Sequence, residues 1–292
     1  TRWRPARRRD GGAPAAPRPG APYDVGMRIA AVQHDIVWVD RAANFARLAP
    51  QVTAAAAGGA DLVLLTETFS TGFAVDSPAL AEPEGGPSSQ FLADQAAAHG
   101  VWVGGSCPEI PAGSDPADTR PANSFVLAGP DGAVHRYHKT HPFTFSNEDR
   151  YFRAGESLRT LTLDIGGEAV RVSMFVCYDL RFADCFWDAG PGTDVFLVPA
   201  NWPESRRHHW RSLLVARAIE NQAYVVGCNR VGRTPAGLTY VGDSQIVDPL
   251  GEVLAGASQG ETILFADIHP ATVADVRDRF RFLPDRRPIS RG

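Results

Sequence analysis

The chain has 292 residues, 44% hydrophobic and 21% charged, with a formal net charge of -4. That is ordinary globular usage, enough for one large α/β domain or two small ones. The charge gives no reason to expect a nucleic acid or anionic membrane partner, and no apolar run approaches the roughly 20 residues that span a bilayer, so a soluble protein is expected.

Residues 1–26 mix Arg2, Arg4, Arg7, Arg8, Arg9 and Arg18 with Pro5, Pro14, Pro17, Pro19 and Pro22. Little there can be buried, and no apolar h-region follows the arginines. A disordered extension is expected, or sequence upstream of a start at Met27, and not an export signal. Met27 to Gln33 reads as a strand, Asn44 to Ala57 as an amphipathic helix, and Asp61 to Leu65 as a buried strand. Ser88 to His99 reads as a helix stopped by Gly100, and Val101 to Gly105 as a strand. Asn123 to Ala128 and Ala133 to His138 form a hairpin across Gly129-Pro130-Asp131-Gly132. A second hairpin pairs Leu158 to Asp164 with Glu168 to Val176. Asp194 to Pro199 is a strand, Arg207 to Asn221 a helix and Ala223 to Cys228 a strand. Short strands follow at 239–241, 244–247, 252–254 and 262–266, and Asp275 to Phe280 is a closing helix. Strand–helix alternation mixed with hairpins predicts an α/β architecture with mixed sheets covered by helices. No internal boundary is visible, so one domain is expected over 27–285, followed by a tail at 286–292.

Cys107, Cys177, Cys185 and Cys228 are too few for a disulfide framework and form no C-x-x-C pair, which suggests reduced thiols in a cytoplasmic protein. Cys177 is special in position. It ends the apolar run Val170-Arg171-Val172-Ser173-Met174-Phe175-Val176 and precedes Tyr178-Asp179-Leu180-Arg181-Phe182. At such a strand-to-helix junction, backbone N–H groups and a helix dipole favour the thiolate. Glu67 and Lys139 also end strands. A partly buried Glu67 is suited to proton transfer, and Lys139 to lowering the thiol pKa and holding an oxyanion. Read singly, each has an ordinary alternative: a turn cap, a solvated lysine, a buried core thiol.

Taken together, Thr66-Glu67-Thr68-Phe69-Ser70-Thr71-Gly72-Phe73, Tyr137-His138-Lys139-Thr140-His141-Pro142-Phe143 and Cys177-Tyr178-Asp179-Leu180-Arg181-Phe182 closely resemble the three catalytic blocks of the nitrilase superfamily. Asn147-Glu148-Asp149-Arg150-Tyr151-Phe152-Arg153-Ala154-Gly155 resembles its loop bearing a second glutamate. Ala200-Asn201-Trp202-Pro203, Ala216-Arg217-Ala218-Ile219-Glu220-Asn221-Gln222 and Gly227-Cys228-Asn229-Arg230-Val231-Gly232 resemble the omega-amidase branch, as does Gly242-Asp243-Ser244. The resemblance implies a four-layer αββα sandwich with two mixed sheets. It also implies a catalytic set of Glu67, Lys139 and Cys177 with Glu148 as auxiliary carboxylate, and a homodimer or higher homo-oligomer. No cofactor or metal is implied.

The implied reaction is thiol-dependent hydrolysis of the terminal amide of a small 2-oxo dicarboxylic monoamide such as 2-oxoglutaramate. Phe69, Phe73, Phe143, Tyr178, Asn201 and Trp202 are candidate substrate contacts, and Arg181 a candidate carboxylate clamp or structural partner. The loops at 142–146 and 183–185 are where substrate-shaping segments are expected, and they limit any transfer of specificity. Alternatives are deaminated glutathione or an N-carbamoyl amine as substrate, or a silent binding protein on the same fold. A Cys/His pair using His138 or His141, and a metal at His208-His209, fit less well.

Overall fold

The computed structural model describes residues 26–77, 80–115, 117–165 and 167–287. The expected extension therefore lies outside the described residues apart from Gly26, as does most of the expected tail. β1 (Met27–Gln33) has no clean polar alternation because both of its faces are covered. Ile29 and Ala31 pack into the core that includes the second sheet, while Ala30 and Val32 face α1 (Arg41–Ala57) and α2 (Pro87–His99). The same division continues through β2 (Leu62–Leu64), whose Leu62 and Leu64 point one way and Val63 the other.

The described strands form two seven-stranded mixed sheets. In the first, β1, β2 and β4 (Trp102–Ile110) run parallel, with the two-residue β3 (Glu82–Pro83) beside β4. β5 (Ala122–Ala128), β6 (Val134–His138) and β14 (Thr262–Ile268) extend it by antiparallel pairing. In the second, β8 (Glu168–Met174), β9 (Val195–Ala200) and β10 (Tyr224–Asn229) run parallel. β7 (Arg159–Ile165) and β12 (Thr239–Val247) flank them antiparallel, and β11 (Val231–Arg233) and β13 (Val253–Ser258) pair with β12. The sheets stack face to face. α1 and α2 cover the first, and α5 (Arg207–Asn221) and α6 (Pro270–Phe280) cover the second, with α4 (Ala183–Ala189) against α5. This is the four-layer αββα sandwich.

Differences from the sequence reading have local causes. α1 starts at Arg41 and not Asn44, because Asp40 caps it by accepting from the Ala43 N–H at 2.9 Å. α6 starts at Pro270 and not Asp275, using a proline where a missing N–H costs nothing. The pieces at 239–241 and 244–247 are one strand, β12, interrupted by an irregularity at Asp243 (φ 56°). α4, β3 and β11 are too short to show a period, and none was expected from sequence. Among the described residues, no helix is long and apolar enough to cross a membrane.

Strand direction decides which ends of the chain meet. β2 and β4 are parallel, and β6 runs with them because β5 reverses the chain between β4 and β6. The residues after β2 and after β6 therefore share an edge with the first residues of β5. The second sheet presents the ends of its parallel strands β8 and β9 to the same place, outside the carboxyl ends of strands, where α/β folds build their sites.

Candidate active site

Glu67, Lys139 and Cys177 converge on one cavity edge although they lie far apart in sequence, and Glu148 backs Lys139. Glu67 follows β2, where Thr68 takes a left-handed conformation (φ 41°) held by its N–H donating to Ser106 Oγ at 2.9 Å. Lys139 follows β6, its N–H donating to the Asn123 carbonyl at 3.0 Å. Glu148 opens the short α3 (Glu148–Tyr151), after a left-handed turn at Asn147 (φ 59°). All three side chains are buried.

The Lys139 ammonium lies between two carboxylates. Nζ donates to Glu67 Oε1 at 2.9 Å and to Glu148 Oε2 at 2.8 Å, with Glu148 Oε1 at 3.2 Å. Asn123 Nδ2 bridges the same two groups at 2.9 and 3.1 Å. Glu67 Oε2 accepts from the Asn201 N–H at 2.7 Å, and Glu148 Oε2 from the Phe143 N–H at 2.5 Å. Burial disfavours a charged lysine, yet the charges of Glu148 and Glu67 outweigh it and hold the Lys139 pKa above its usual value. Burial, and then the charge of Glu67, push the Glu148 carboxyl up against the pull of Lys139. Nζ makes three contacts, one to Glu67 and two to the single Glu148 carboxylate, so one N–H serving both Glu148 oxygens leaves a third donor for the cavity.

Cys177 stands at φ 44°, a conformation that non-glycine residues adopt at a cost of about 1–3 kcal/mol. The surroundings enforce it. Asp179 accepts from the Val176 N–H at 2.9 Å, Tyr137 Oη at 2.8 Å and the His141 N–H at 3.0 Å. Arg217 of α5 grips the Leu180 carbonyl through Nε and Nη2 at 3.1 and 2.8 Å. The segment after the thiol is a five-residue 3₁₀ turn (Cys177–Arg181), too short for the dipole expected from sequence. The expected thiolate is corrected accordingly. Burial, and next the negative charge of Glu67, push the Cys177 thiol well above its ordinary value, and Lys139 only partly offsets them.

Glu67, Lys139 and Cys177 face a cavity of about 200 Å³ whose walls include Phe73, Phe143, Phe145, Tyr178, Arg181, Asn201, Trp202, Arg206 and Tyr240; Glu148 is not part of the lining and reaches it only through Lys139. Of the sequence candidates, Phe73, Phe143, Tyr178, Arg181, Asn201 and Trp202 reach it. Phe69 does not. Its ring is buried on the helix side of the first sheet, 6.3 Å from Phe45 and 5.9 Å from Phe91, because the turn at Thr68 sends residue 69 away from the cavity. The loop at 142–146 shapes the cavity, whereas residues 183–185 begin α4 and lie outside it. Sequence reasoning missed Asn123, Arg206 and Tyr240, and placed Phe145 only as part of the 142–146 loop. The polar pair Asn123-Ser124 near the start of an otherwise apolar β5 was the one available signal.

Neither histidine beside Lys139 serves the thiol. His138 pairs with Ser124 Oγ at 2.9 Å, and His141 Nδ1 with Asp179 at 2.9 Å while its ring stacks on Phe182 at 3.8 Å. His208 and His209 are exposed at the start of α5, and His209 Nδ1 meets Arg181 Nη2 at 3.2 Å.

A family model described as carbon-nitrogen hydrolase matches residues 28–278. The omega-amidase YafV of Escherichia coli strain K12 is 34% identical over 257 residues, covering 87% of this chain and 94% of that protein. The 2-oxoglutaramate amidase of Bacillus subtilis strain 168 is 34% identical over 233 residues, covering 78% and 85%. Among solved structures, XC1258 from Xanthomonas campestris, a CN-hydrolase superfamily protein with an arsenic adduct in its active site, superposes with a TM-score of 0.82. It is 34% identical and covers 91% of this chain and 99% of that one.

Proposed function

We propose that this chain, which belongs to the carbon-nitrogen hydrolase family, releases ammonia from the terminal amide of a small 2-oxo dicarboxylic monoamide such as 2-oxoglutaramate. The observation that carries the reading is the Glu67–Lys139–Glu148 cluster, whose Glu67 and Lys139 border the same small cavity as the buried Cys177. In this reading Glu67 accepts the thiol proton as Sγ attacks the amide carbonyl carbon, and the C=O electron pair moves onto oxygen. The free N–H of Lys139 and the Tyr178 backbone N–H, at the first turn of a short helix, hold that oxyanion. Collapse breaks the C–N bond, and Glu67 returns its proton to the departing ammonia. Water then attacks the thioester with Glu67 as base, giving the carboxylic acid and restoring the thiol. Glu148 keeps Lys139 charged and aimed. Asn123 ties the two carboxylates together, and Asn201 orients Glu67.

The names of the relatives support the substrate class, and so does size. A cavity near 200 Å³ is below the roughly 300–1,000 Å³ typical of drug-sized ligands and suits a chain of a few carbons better than a tripeptide-like amide. Ammonia release compared across 2-oxoglutaramate, deaminated glutathione and an N-carbamoyl amine tests the substrate. The highest kcat/KM is expected for 2-oxoglutaramate, and a clear preference for either of the others overturns the assignment.

Residues 27–285 form the hydrolase domain in this reading, and the assembly is a homodimer or larger homo-oligomer. Exposed Trp187 on α4, Ile219 on α5, and Phe280 and Phe282 at the end of α6 support self-association, since large exposed apolar side chains often mark interfaces. Light scattering is expected to give at least twice the chain mass of 31.4 kDa. A monomer at micromolar concentration removes the assembly from the proposal.

A further inference from the structure

Two arginines border the cavity and neither is neutralised. Arg181 ends the 3₁₀ turn that Cys177 begins, and its guanidinium lies over the Trp202 ring, 4.7 Å from the centroid. Its hydrogen-bond partner is Nδ1 of the His209 imidazole at 3.2 Å, not a carboxylate. Arg206 ends the turn Glu204–Arg206, and its backbone is held from both sides. Its N–H donates to the Pro203 carbonyl at 3.0 Å, and its own carbonyl accepts from Trp202 Nε1 at 2.9 Å. Its guanidinium rests against aromatic faces, 5.4 Å from the Phe143 centroid and 5.9 Å from that of Phe145.

Other arginines nearby are treated differently. Arg207, the next residue, makes a bidentate pair with Asp243 at 2.8 Å on both arms, and Arg217 pairs with Glu220 at 2.9 Å. Among the described residues, no carboxylate lies within ion-pair distance of Arg181 or Arg206. Burial, and then the positive charge of Arg206, depress the Arg181 pKa, so the two guanidinium groups repel across a partly dry space. Leaving such charges uncompensated is unfavourable unless something else supplies the anion. Aromatic platforms leave the guanidinium edges, which carry the N–H forks, free for a planar carboxylate.

We propose that Arg181 and Arg206 form a two-guanidinium clamp for a carboxylate at the far end of the acyl chain, with Arg206 the main determinant of preference for amides that carry one. The inference rests on the amidase reading above and narrows its substrate class. The clamp places the charged end at the cavity mouth and the amide at Cys177, so chain length between the two groups is selected as well as charge. An uncharged amide of similar length gains the apolar walls and loses the ion pairs.

The test measures kcat/KM in the wild type, Arg206→Gln and Arg206→Lys, with 2-oxoglutaramate and with butyramide as substrates. The ratio between the two substrates is expected to fall roughly 10- to 100-fold in Arg206→Gln, the size expected for losing a charge-assisted pair. Weaker binding of the carboxylate-bearing amide, seen as a raised KM, accounts for most of that fall. Arg206→Lys recovers part of the ratio, because charge returns without the planar fork. A ratio within about twofold of wild type in Arg206→Gln overturns the clamp while leaving amidase activity standing. Glutarate binding by calorimetry reads the clamp without turnover. Binding to the wild type that weakens in Arg206→Gln supports it even if neither amide is hydrolysed, and no binding to the wild type overturns it.

Discussion

Replacing the thiol, as Cys177→Ala, is expected to reduce kcat/KM for amide hydrolysis by at least roughly 10⁴-fold, the scale on which removal of a covalent nucleophile acts. The proposed route forms a carbon–sulfur bond while the proton moves to a carboxylate already in place. A methyl group offers neither the nucleophile nor the proton. Alanine occupies no more space than cysteine and meets the same backbone requirement at φ 44°. The hydrogen bonds of Asp179 and Arg217 that hold the turn do not involve the sulfur. The variant should therefore fold and melt close to the wild type. Steady-state ammonia release checks the activity, and mass spectrometry of quenched wild-type reactions checks for the acyl adduct. Ammonia release by purified Cys177→Ala at the wild-type rate would remove cysteine from the mechanism.

Lys139→Met is the second large effect, because it strikes stability and catalysis together. Methionine nearly matches the lysine in volume, so the change is chiefly electrostatic. Lys139 donates to both Glu67 and Glu148, and all three are buried. Removing one member of a buried ionic cluster leaves uncompensated charge, at a cost of about 3–5 kcal/mol at neutral pH. Loss of the proposed oxyanion donor is expected to lower kcat by roughly 10²–10³-fold in addition. The pH dependence has a definite sign. The folded-state pKa of Glu148 is already above its usual value, and losing the ammonium raises it further. A carboxyl raised on folding binds more protons in the folded state, so the variant gains stability relative to wild type as pH falls toward the unfolded glutamate pKa of about 4.3. The same deficit grows as pH rises through the folded pKa. Urea denaturation at pH 7 and pH 5 checks this. Equal midpoints for variant and wild type at both pH values would show that the cluster does not store the proposed interaction.

How far the site could be read from sequence depended on what kind of information each residue carries. Cys177 and Glu67 follow apolar strands, and a polar or reactive group at the end of a buried strand is a local signal, whereas Lys139 follows the polar β6 and carries no such signal. Arg207 to Asn221 keeps a helical apolar face and matches α5 as built. Phe69 and Phe73 sit in one motif and looked equivalent as cavity walls. A left-handed residue at Thr68 and another at Gly72 (φ 76°) send the first into the helix layer and the second toward Lys139, whose Nζ lies 5.3 Å from the Phe73 centroid. Nothing in the sequence singled out Arg206. Its lack of a carboxylate partner, set against the pairing of Arg207, exists only in three dimensions.

By itself, the order of residues determined the strand and helix periods, the buried character of β1, β2 and β8, and the identity of the groups able to do acyl chemistry. Those properties follow from nearest-neighbour geometry along the chain. Tertiary structure alone decided that strand ends from two different sheets meet, that Lys139 is shared by two carboxylates, and that burial and the charge of Glu67 push the thiol pKa up. Strand direction, sheet stacking and burial set those outcomes, and each couples residues whose separation in sequence carries no distance information.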